Sequence, residues 1–337
     1  MKNLIKKLPP NILEKCKKVK EPPFVKPMLA TLTKEYFSSS DWIYEHKFDG
    51  ERCIAVKKNG KVSLKSRSGR IINDEYPELA QALLAQKADN FIIDGEIVAL
   101  GKNRISDFQL LQSRINLKAL EAIQAKVQKV RIYYRVFDCM YVDGYDVRKA
   151  PLLVRKQLLK NLLRFNTMIT YTTHKTKNGV ALFRLACKKH WEGLIVKKAD
   201  GIYVSKRSPN WLKFKCAIGQ ELVIGGYTEP QRSRSDFGAL LVGYYKKGAL
   251  HYAGKVGTGF TQDTLIMLGQ KMRRREVKKC PFIDYDESTR GVHWIRPDLV
   301  AEFEFAQWTK GGKLRVPRYK GLRTDKSAKL VVQEIPK

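Results

Sequence analysis

Between about residue 27 and about residue 219, runs with the two-residue period of strands are interleaved with runs of helical spacing. The stretch "YEHKFDGER" (44–52), read as a strand, puts Glu45, Lys47 and Asp49 on one face and Tyr44, His46 and Phe48 on the other, and Gly50 ends it. "RCIAVKKNGKVSLKSRSG" reads as a hairpin turning at Asn59-Gly60. "EYPELAQALLAQ" has helical spacing with Pro77 near its start. "FIIDGEIVAL" reads as a buried strand interrupted at Gly95, "SDFQLLQSRINLKALEAIQAKVQ" as one helical stretch, and "RIYYRVFDCMYV" as a strand. "PLLVRKQLLKNLL" is helical, and "GLIVKK" and "NWLKFK" are short strands. The pattern predicts a mixed helix-and-strand domain.

After "KCAIGQELVIGGYT" the grammar changes. From about residue 220, short strands parted by glycines lead to one helix near "TQDTLIMLGQKMRRRE" and then to further strands such as "LVAEFEFAQWT". Three strands, a helix and two strands fit a small Greek-key barrel of the oligonucleotide-binding type. The first 26 residues are rich in Lys and Pro and end in "EPPFVKP", which reads as a loosely held basic arm leading to a tether. The expected division is therefore 1–26, 27–219 and 220–337. A chain of 337 residues has room for two cores.

Charge narrows the function. Lys and Arg number 65 against 33 Asp and Glu, a formal net charge of +32, far beyond what solubility needs. Such a field expects a polyanion, and nucleic acid comes first because neutralised phosphates release counterions. Membrane binding is the competitor, but no apolar stretch approaches the ~20 residues of a span, and the first residues lack an apolar core and cleavage site of a secretory signal. The expectation is a cytoplasmic protein. Its six cysteines (16, 53, 139, 187, 216, 280) show no C-x-x-C spacing, which speaks against a zinc site or a disulfide framework and for buried free thiols. Its five histidines show no ligand spacing either.

Candidate chemistry lies in five short segments, each putting charged or aromatic groups on a strand. They are Lys47-x-Asp49-Gly50 with Arg52, Asp94 and Glu96 in "DGEIV", Phe137 in "VFDCM", Glu192-Gly193 before "LIVKK", and Lys213 and Lys215 beside Trp211 in "WLKFK". A lysine is nucleophilic only when neutral, and nearby cations such as Lys213 and Lys215 favour that form. Glu96 and Glu192 could hold Mg²⁺, a hard cation suited to carboxylate and phosphate oxygens. Arg52, Arg67 and the paired lysines could neutralise a triphosphate, and Phe137 could stack a purine. Together they describe nucleotidyl transfer to lysine.

In the order and spacing of these segments, from about Pro27 to Lys326, the sequence resembles the ATP-dependent DNA ligases of the covalent nucleotidyltransferase superfamily. A lone K-x-D-G is weak, but five motifs in order on predicted strands are not. "VIGGYTEPQRSRSDFGALLVGYY", "YAGKVGTGF" and "RVPRYKGLRTDK" are similar to the ligase part of bacterial end-joining ligase D and its stand-alone relatives. The resemblance implies an α+β nucleotidyltransferase (ATP-grasp-like) domain followed by an all-β OB-fold barrel, with Lys47 taking AMP from ATP and passing it to a DNA 5′-phosphate. It implies Glu45 at the adenine edge, Arg52 and Arg67 at ribose and phosphate, Glu96 at ribose or metal, and Arg318, Arg323, Asp325 and Lys326 at the departing pyrophosphate. It also implies Mg²⁺ or Mn²⁺, nicked or broken duplex DNA as partner, a monomer in the bacterial cytosol or nucleoid, and a Ku-type end-binding protein as a recruiting partner. Neither a polymerase or nuclease domain nor the helical DNA-clamping domain of large ligases is recognisable, which weakens the end-joining role. The rivals are an RNA ligase or capping-type enzyme, marked by GTP preference, and a catalytically silent DNA-binding relative, which would need neither Lys47 nor the metal carboxylates.

If the +32 charge serves DNA, six to ten phosphate contacts make nick binding fall by roughly 10³–10⁵ between low and moderate salt. A filter-binding titration that finds affinity indifferent to salt would assign the charge to something else.

Overall fold

The computed structural model describes residues 4–19, 26–101, 104–115, 117, 119–216, 218–230, 236–309 and 311–334. The chain divides into a first unit that ends at Cys216 and a second from Ala217 to Ile335.

The strands of the first unit are β1 (Lys17–Lys18), β2 (Leu29–Leu32), β3 (Trp42–His46), β4 (Glu51–Lys58), β5 (Lys61–Ser66), β6 (Phe91–Ala99), β7 (Ile132–Val142), β8 (Tyr145–Asp146), β9 (Ile169–Tyr171), β10 (His174–Lys175), β11 (Gly193–Lys198) and β12 (Arg207–Lys215). Its helices are α1 (Pro10–Leu13), α2 (Pro77–Leu84), α3 (Phe108–Gln112), α4 (Leu120–Lys129), α5 (Leu152–Leu162) and α6 (Gly179–Lys188). One sheet runs β1-β8-β7-β6-β4-β5, with β9 added parallel to β7, and the other runs β10-β3-β11-β12-β2.

Each sheet packs one face against helices. The larger packs Ala55, Leu64, Ile93, Tyr134 and Val136 against Leu79 and Leu83 of α2 and Leu158 and Leu159 of α5. The smaller packs Tyr44, Leu194, Val196 and Phe214 against Phe183 and Ala186 of α6. A fully buried Leu or Phe contributes ~1.5–3 kcal/mol, so these faces fix which residues must point the other way. Because strand side chains alternate, Glu45, Lys197, Trp211, Lys213 and Lys215 are left on the opposite face of the smaller sheet.

Several local expectations hold. β4 and β5 turn at Asn59-Gly60, both left-handed (φ 48° and 70°), as a two-residue hairpin requires. Pro77 opens α2. Others are corrected. β6 is continuous through Gly95, and register shifts against β7 at Ile92/Ile93 and Asp94/Gly95 absorb the irregularity that looked like a break. The single helix expected over "SDFQLLQSRINLKALEAIQAKVQ" is two, α3 and α4. Between them Arg114 is fully buried, donating to Glu78, to the Glu75 carbonyl at 2.7 Å and to the Val130 carbonyl at 3.2 Å. A buried guanidinium cannot sit on a solvent-facing helical stripe, so the chain turns there.

Residues 4–19 of the expected arm are held, not loose. Ile5 and Cys16 are buried in the core of the first unit with Leu4, Leu8, Ile12 and Leu13 packed on it, and β1 pairs with β8. The expected tether, 20–25, lies outside the described residues. The cysteine expectation also needs correction. Cys16, Cys53 and Cys139 are buried free thiols and Cys280 is a half-buried one, but Cys187 and Cys216 form a disulfide. Their partnership follows from α6 and the end of β12 meeting in space, 29 residues apart in the chain.

The second unit contains β13 (Ile218–Thr228), β14 (Leu240–Lys246), β15 (Ala249–Val256), α7 (Gln262–Arg273), β16 (Glu276–Val277), β17 (Val292–Phe305), β18 (Gln307–Trp308), β19 (Leu314–Arg315) and β20 (Arg318–Arg323). Its main sheet runs β15-β14-β13-β17-β16 with β20 also on β17. The helix falls where the sequence put it. The side chain of Thr261 caps α7 by accepting from the Thr264 N–H at 3.2 Å, and Leu265, Leu268 and Met272 bury its inner stripe. Among the described residues no helix is long and apolar enough to cross a membrane.

One buried contact ties α5 to the larger sheet. Arg155 donates Nε and Nη2 to Asp138 at 2.8 and 2.9 Å, both side chains fully buried, and its Nη1 to the carbonyls of Ala150 and Gly201. Asp138→Ala would strand that guanidinium in the core and should cost about 3–5 kcal/mol. Urea unfolding of the variant checks it, and a loss under 1 kcal/mol would mean that the pair is dispensable.

Candidate active site

The site grows from the register of three strands. β11 lies between β3 and β12, pairing Ile195 with Glu45 and with Lys213, and Gly193 with Lys215. Just past the end of β3, the Lys47 N–H donates to the Gly193 carbonyl at 3.0 Å, and the Cys216 N–H donates to the Glu192 carbonyl at 3.1 Å. This clamp needs a glycine: residue 193 has φ +144°, and a Cβ there would stand 1.9 Å from the Phe214 carbonyl oxygen. Held this way, Glu192 forms an ion pair with Lys47 and lies 3.8 Å from Lys215. Burial alone would raise the Glu192 carboxyl, but Lys47, Lys215 and Lys213 outweigh it and hold it below its ordinary value. Four of the expected residues, Lys47, Glu192, Lys213 and Lys215, thus form one electrostatic cluster.

Glu192 has a second feature. Its Oε2 is buried with no hydrogen-bond partner among the described residues. A bare carboxylate oxygen suits a hard cation. Glu96 is on another element: it lies across from Arg52 in the β4–β6 ladder. Among the described residues no group of three His, Cys, Asp or Glu side chains stands ready for a metal.

A second cluster surrounds Glu45, which is 2% exposed. It pairs with Lys156 of α5 and, at 2.6 Å, with Lys197 of β11. Burial would raise the Glu45 carboxyl, yet the two lysines hold it low. Burial, aided by Lys156 and opposed by Glu45, pushes the Lys197 ammonium down to about 8. The Lys197 Nζ lies 4.2 Å from the ring of Phe137 and 4.1 Å from that of Trp211. The Arg52 guanidinium reaches the same two rings, at 4.6 and 5.5 Å. Phe137 therefore packs edge-on to Trp211, at 6.1 Å, with cations against it.

Arg52 is itself anchored. Its Nε and Nη2 hold the buried Asp94 at 2.5 and 2.6 Å, and Tyr203 adds a hydroxyl to Asp94 at 2.7 Å. The Asp49 N–H donates to Ser106 Oγ at 3.0 Å. Arg67 follows β5 in a turn and is half-buried. His46, on the α6 face, stacks on Trp191 at 4.0 Å, and burial lowers its imidazole to about 4, so it stays neutral.

The remaining expected residues belong to the second unit. Arg318 is exposed at the start of β20, Arg323 forks onto Asp325 at 3.0 and 2.9 Å, and Lys326 pairs with Glu221. In the basic run Lys271–Lys279, Arg273 and Arg275 pair with Asp236 and Asp298, and Lys278 and Lys279 are exposed. Sequence reasoning missed Lys156 and Lys197. Lys197 could have been found, since it shares strand parity with Gly193 and Ile195. Lys156 gave no signal, because a lysine on an amphipathic helix ordinarily faces water.

The family described as "ATP dependent DNA ligase domain" matches residues 27–215, and "ATP dependent DNA ligase C terminal region" matches 233–326. The chain is 36% identical over 322 residues to the multifunctional non-homologous end joining protein LigD of Pseudomonas aeruginosa, covering 94% of this chain and 37% of that one. It is 34% identical over 328 residues to the multifunctional non-homologous end joining DNA repair protein LigD of Mycobacterium tuberculosis, covering 95% and 41%. It is 30% identical over 304 residues to the SPbeta prophage-derived DNA ligase-like protein LigB of Bacillus subtilis, covering 89% and 99%. The chain thus spans about two fifths of the LigD relatives. Among solved structures, mycobacterial DNA ligase D complexed with ATP and MES superposes with a TM-score of 0.67 at 31% identity, covering 92% of this chain and 98% of that one.

The depressed Lys197 predicts a pH signature. Unfolded, the ammonium titrates near 10.5; folded, near 8. Between those values the unfolded chain binds more protons, so this group's contribution to stability rises with pH, by at most ~1.4 kcal/mol per unit. The stability of the wild type minus that of Lys197→Met, from chemical denaturation, should climb from pH 8 towards 10.5. A flat or falling difference would contradict the burial of this charge.

Proposed function

The chain belongs to the ATP-dependent DNA ligase family, and from that premise we propose that it seals breaks in duplex DNA through a lysyl-AMP intermediate on Lys47. The carrying observation is the Lys47–Glu192 pair with Lys213 and Lys215 beside it on one sheet. In the free protein the Lys47 Nζ is tied up in its ion pair with Glu192, with Lys213 and Lys215 beside them. The lysine can attack only once Glu192 is engaged elsewhere and the ion pair is broken.

Neutral Nζ then attacks the α-phosphorus of ATP, the P–O bond to pyrophosphate breaks, Nζ gives up a proton to solvent or the departing pyrophosphate, and a lysyl-AMP phosphoramidate forms. A DNA 5′-phosphate oxygen attacks the same phosphorus and releases Lys47. A 3′-hydroxyl finally attacks the 5′-phosphate and expels AMP. Lys213, Lys215, Arg52 and Arg67 neutralise the phosphate charge that develops. Glu45, with Phe137, receives the base end of the nucleotide, and Arg318, Arg323 and Lys326 serve the pyrophosphate. Mg²⁺ or Mn²⁺ held by Glu192, whose open Oε2 supports this, and by Glu96 would add further charge neutralisation. The working division is an adenylation domain at 27–219 and an oligonucleotide-binding domain at 220–337. The names of the LigD relatives support a role in end joining, and the recruiter proposed with it is a Ku-type end-binding protein.

The test is intact mass after incubation with Mg²⁺ and ATP, GTP or NAD⁺, then peptide mapping. A single AMP adduct on Lys47, from ATP alone, is expected. An adduct from GTP would favour a capping-type enzyme. No adduct on protein checked to be unadenylated beforehand would favour the silent DNA-binding relative. Lys47→Ala should lose sealing of ordinary nicks yet retain the last step on a pre-adenylated nick, as gel assays with both substrates would report; normal sealing of ordinary nicks would refute the mechanism.

A further inference from the structure

Near Glu45, two buried polar atoms have no hydrogen-bond partner among the described residues. β10 pairs with β3 so that His174 lies opposite Glu45. The Nδ1 of His174 is buried and has no hydrogen-bond partner among the described residues. Two residues earlier, Thr172 is 4% exposed. Its N–H donates to the Val136 carbonyl at 2.8 Å and its own carbonyl accepts from Lys156 at 3.1 Å, but its Oγ1 is buried without a partner among the described residues. Lys156 is also the residue that grips Glu45, so both atoms border one network. Burial and Lys156 hold the His174 imidazole below its ordinary value, opposed by Glu45. A neutral imidazole offers one donor and one acceptor, and a threonine hydroxyl can do either.

Buried polar atoms in folded proteins nearly always find partners, and an orphan is costly. Two orphans beside the carboxylate assigned to the base end of the nucleotide mark a group that arrives from outside. The exocyclic amino group of adenine is such a group, with two N–H hydrogens that the imidazole nitrogen and the threonine oxygen can each accept. We propose that Thr172 and His174 recognise the amino edge of the adenine base and set the preference for ATP. Neither residue lies in the motifs that carry the transfer chemistry. The inference rests on the ligase reading above, since it needs a nucleotide in this site.

The test measures kcat/KM for formation of the lysyl adduct with ATP and with purine riboside triphosphate, which lacks the amino group. Wild type should favour ATP by roughly 2–12-fold for each net hydrogen bond to a neutral partner. His174→Ala and Thr172→Val should each shrink that ratio several-fold through a higher KM for ATP, with kcat and the analogue's constants little changed. Thr172→Ser, which keeps the hydroxyl, should restore the ratio. An unchanged ratio, or an equal loss with both nucleotides, would overturn the proposal and leave these residues structural. Wild type that forms no adduct from ATP at all would instead overturn the ligase reading, and this inference with it.

Discussion

The ion pair between Lys47 and Glu192 depends on the backbone around Gly193. Two hydrogen bonds, from Lys47 to the Gly193 carbonyl and from Cys216 to the Glu192 carbonyl, pin the Glu-Gly dipeptide between the ends of β3 and β12. If β11 slipped by one residue against β3, every side chain on it would exchange faces. Glu192 would leave Lys47, Lys197 would leave Glu45, and Leu194 and Val196 would leave the α6 core. The apolar face is what forbids the slip. Packing of Tyr44, Leu194, Val196 and Phe214 behind the sheet thereby sets the electrostatics in front of it.

A chain with a formal charge of +32 has 33 Asp and Glu, and among the described residues seven of them are buried. Glu45 holds two lysines, Asp94 holds Arg52 and a tyrosine hydroxyl, and Asp138 holds Arg155. An unpaired buried charge costs several kcal/mol, so each such pair is tolerated only as a complete set. The arrangement also divides labour. Arg155 and Asp138 are closed off by their own hydrogen bonds, whereas Glu192, His174 and Thr172 each retain an unused polar atom among the described residues. The closed set braces the fold, and these three open groups border the site proposed for the nucleotide.

Much of this was legible in the sequence because strand periodicity is a local property. The parity of Glu45 and Lys47 against Tyr44 and His46, the Asn59-Gly60 turn, the helix of the second unit and each of the five motifs taken singly are written within short windows of sequence. Composition added the expectation of a polyanion. What sequence could not decide are the matters of register and long-range contact. That Lys156 on a helix reaches Glu45 across 111 residues, that Cys187 finds Cys216, and that Arg114 turns a predicted helix inward depend on which elements meet in space. Periodicity tells which side of a strand a residue faces. Only the packed sheets decide what stands opposite it, because those contacts come from segments whose separation along the chain carries no local signal.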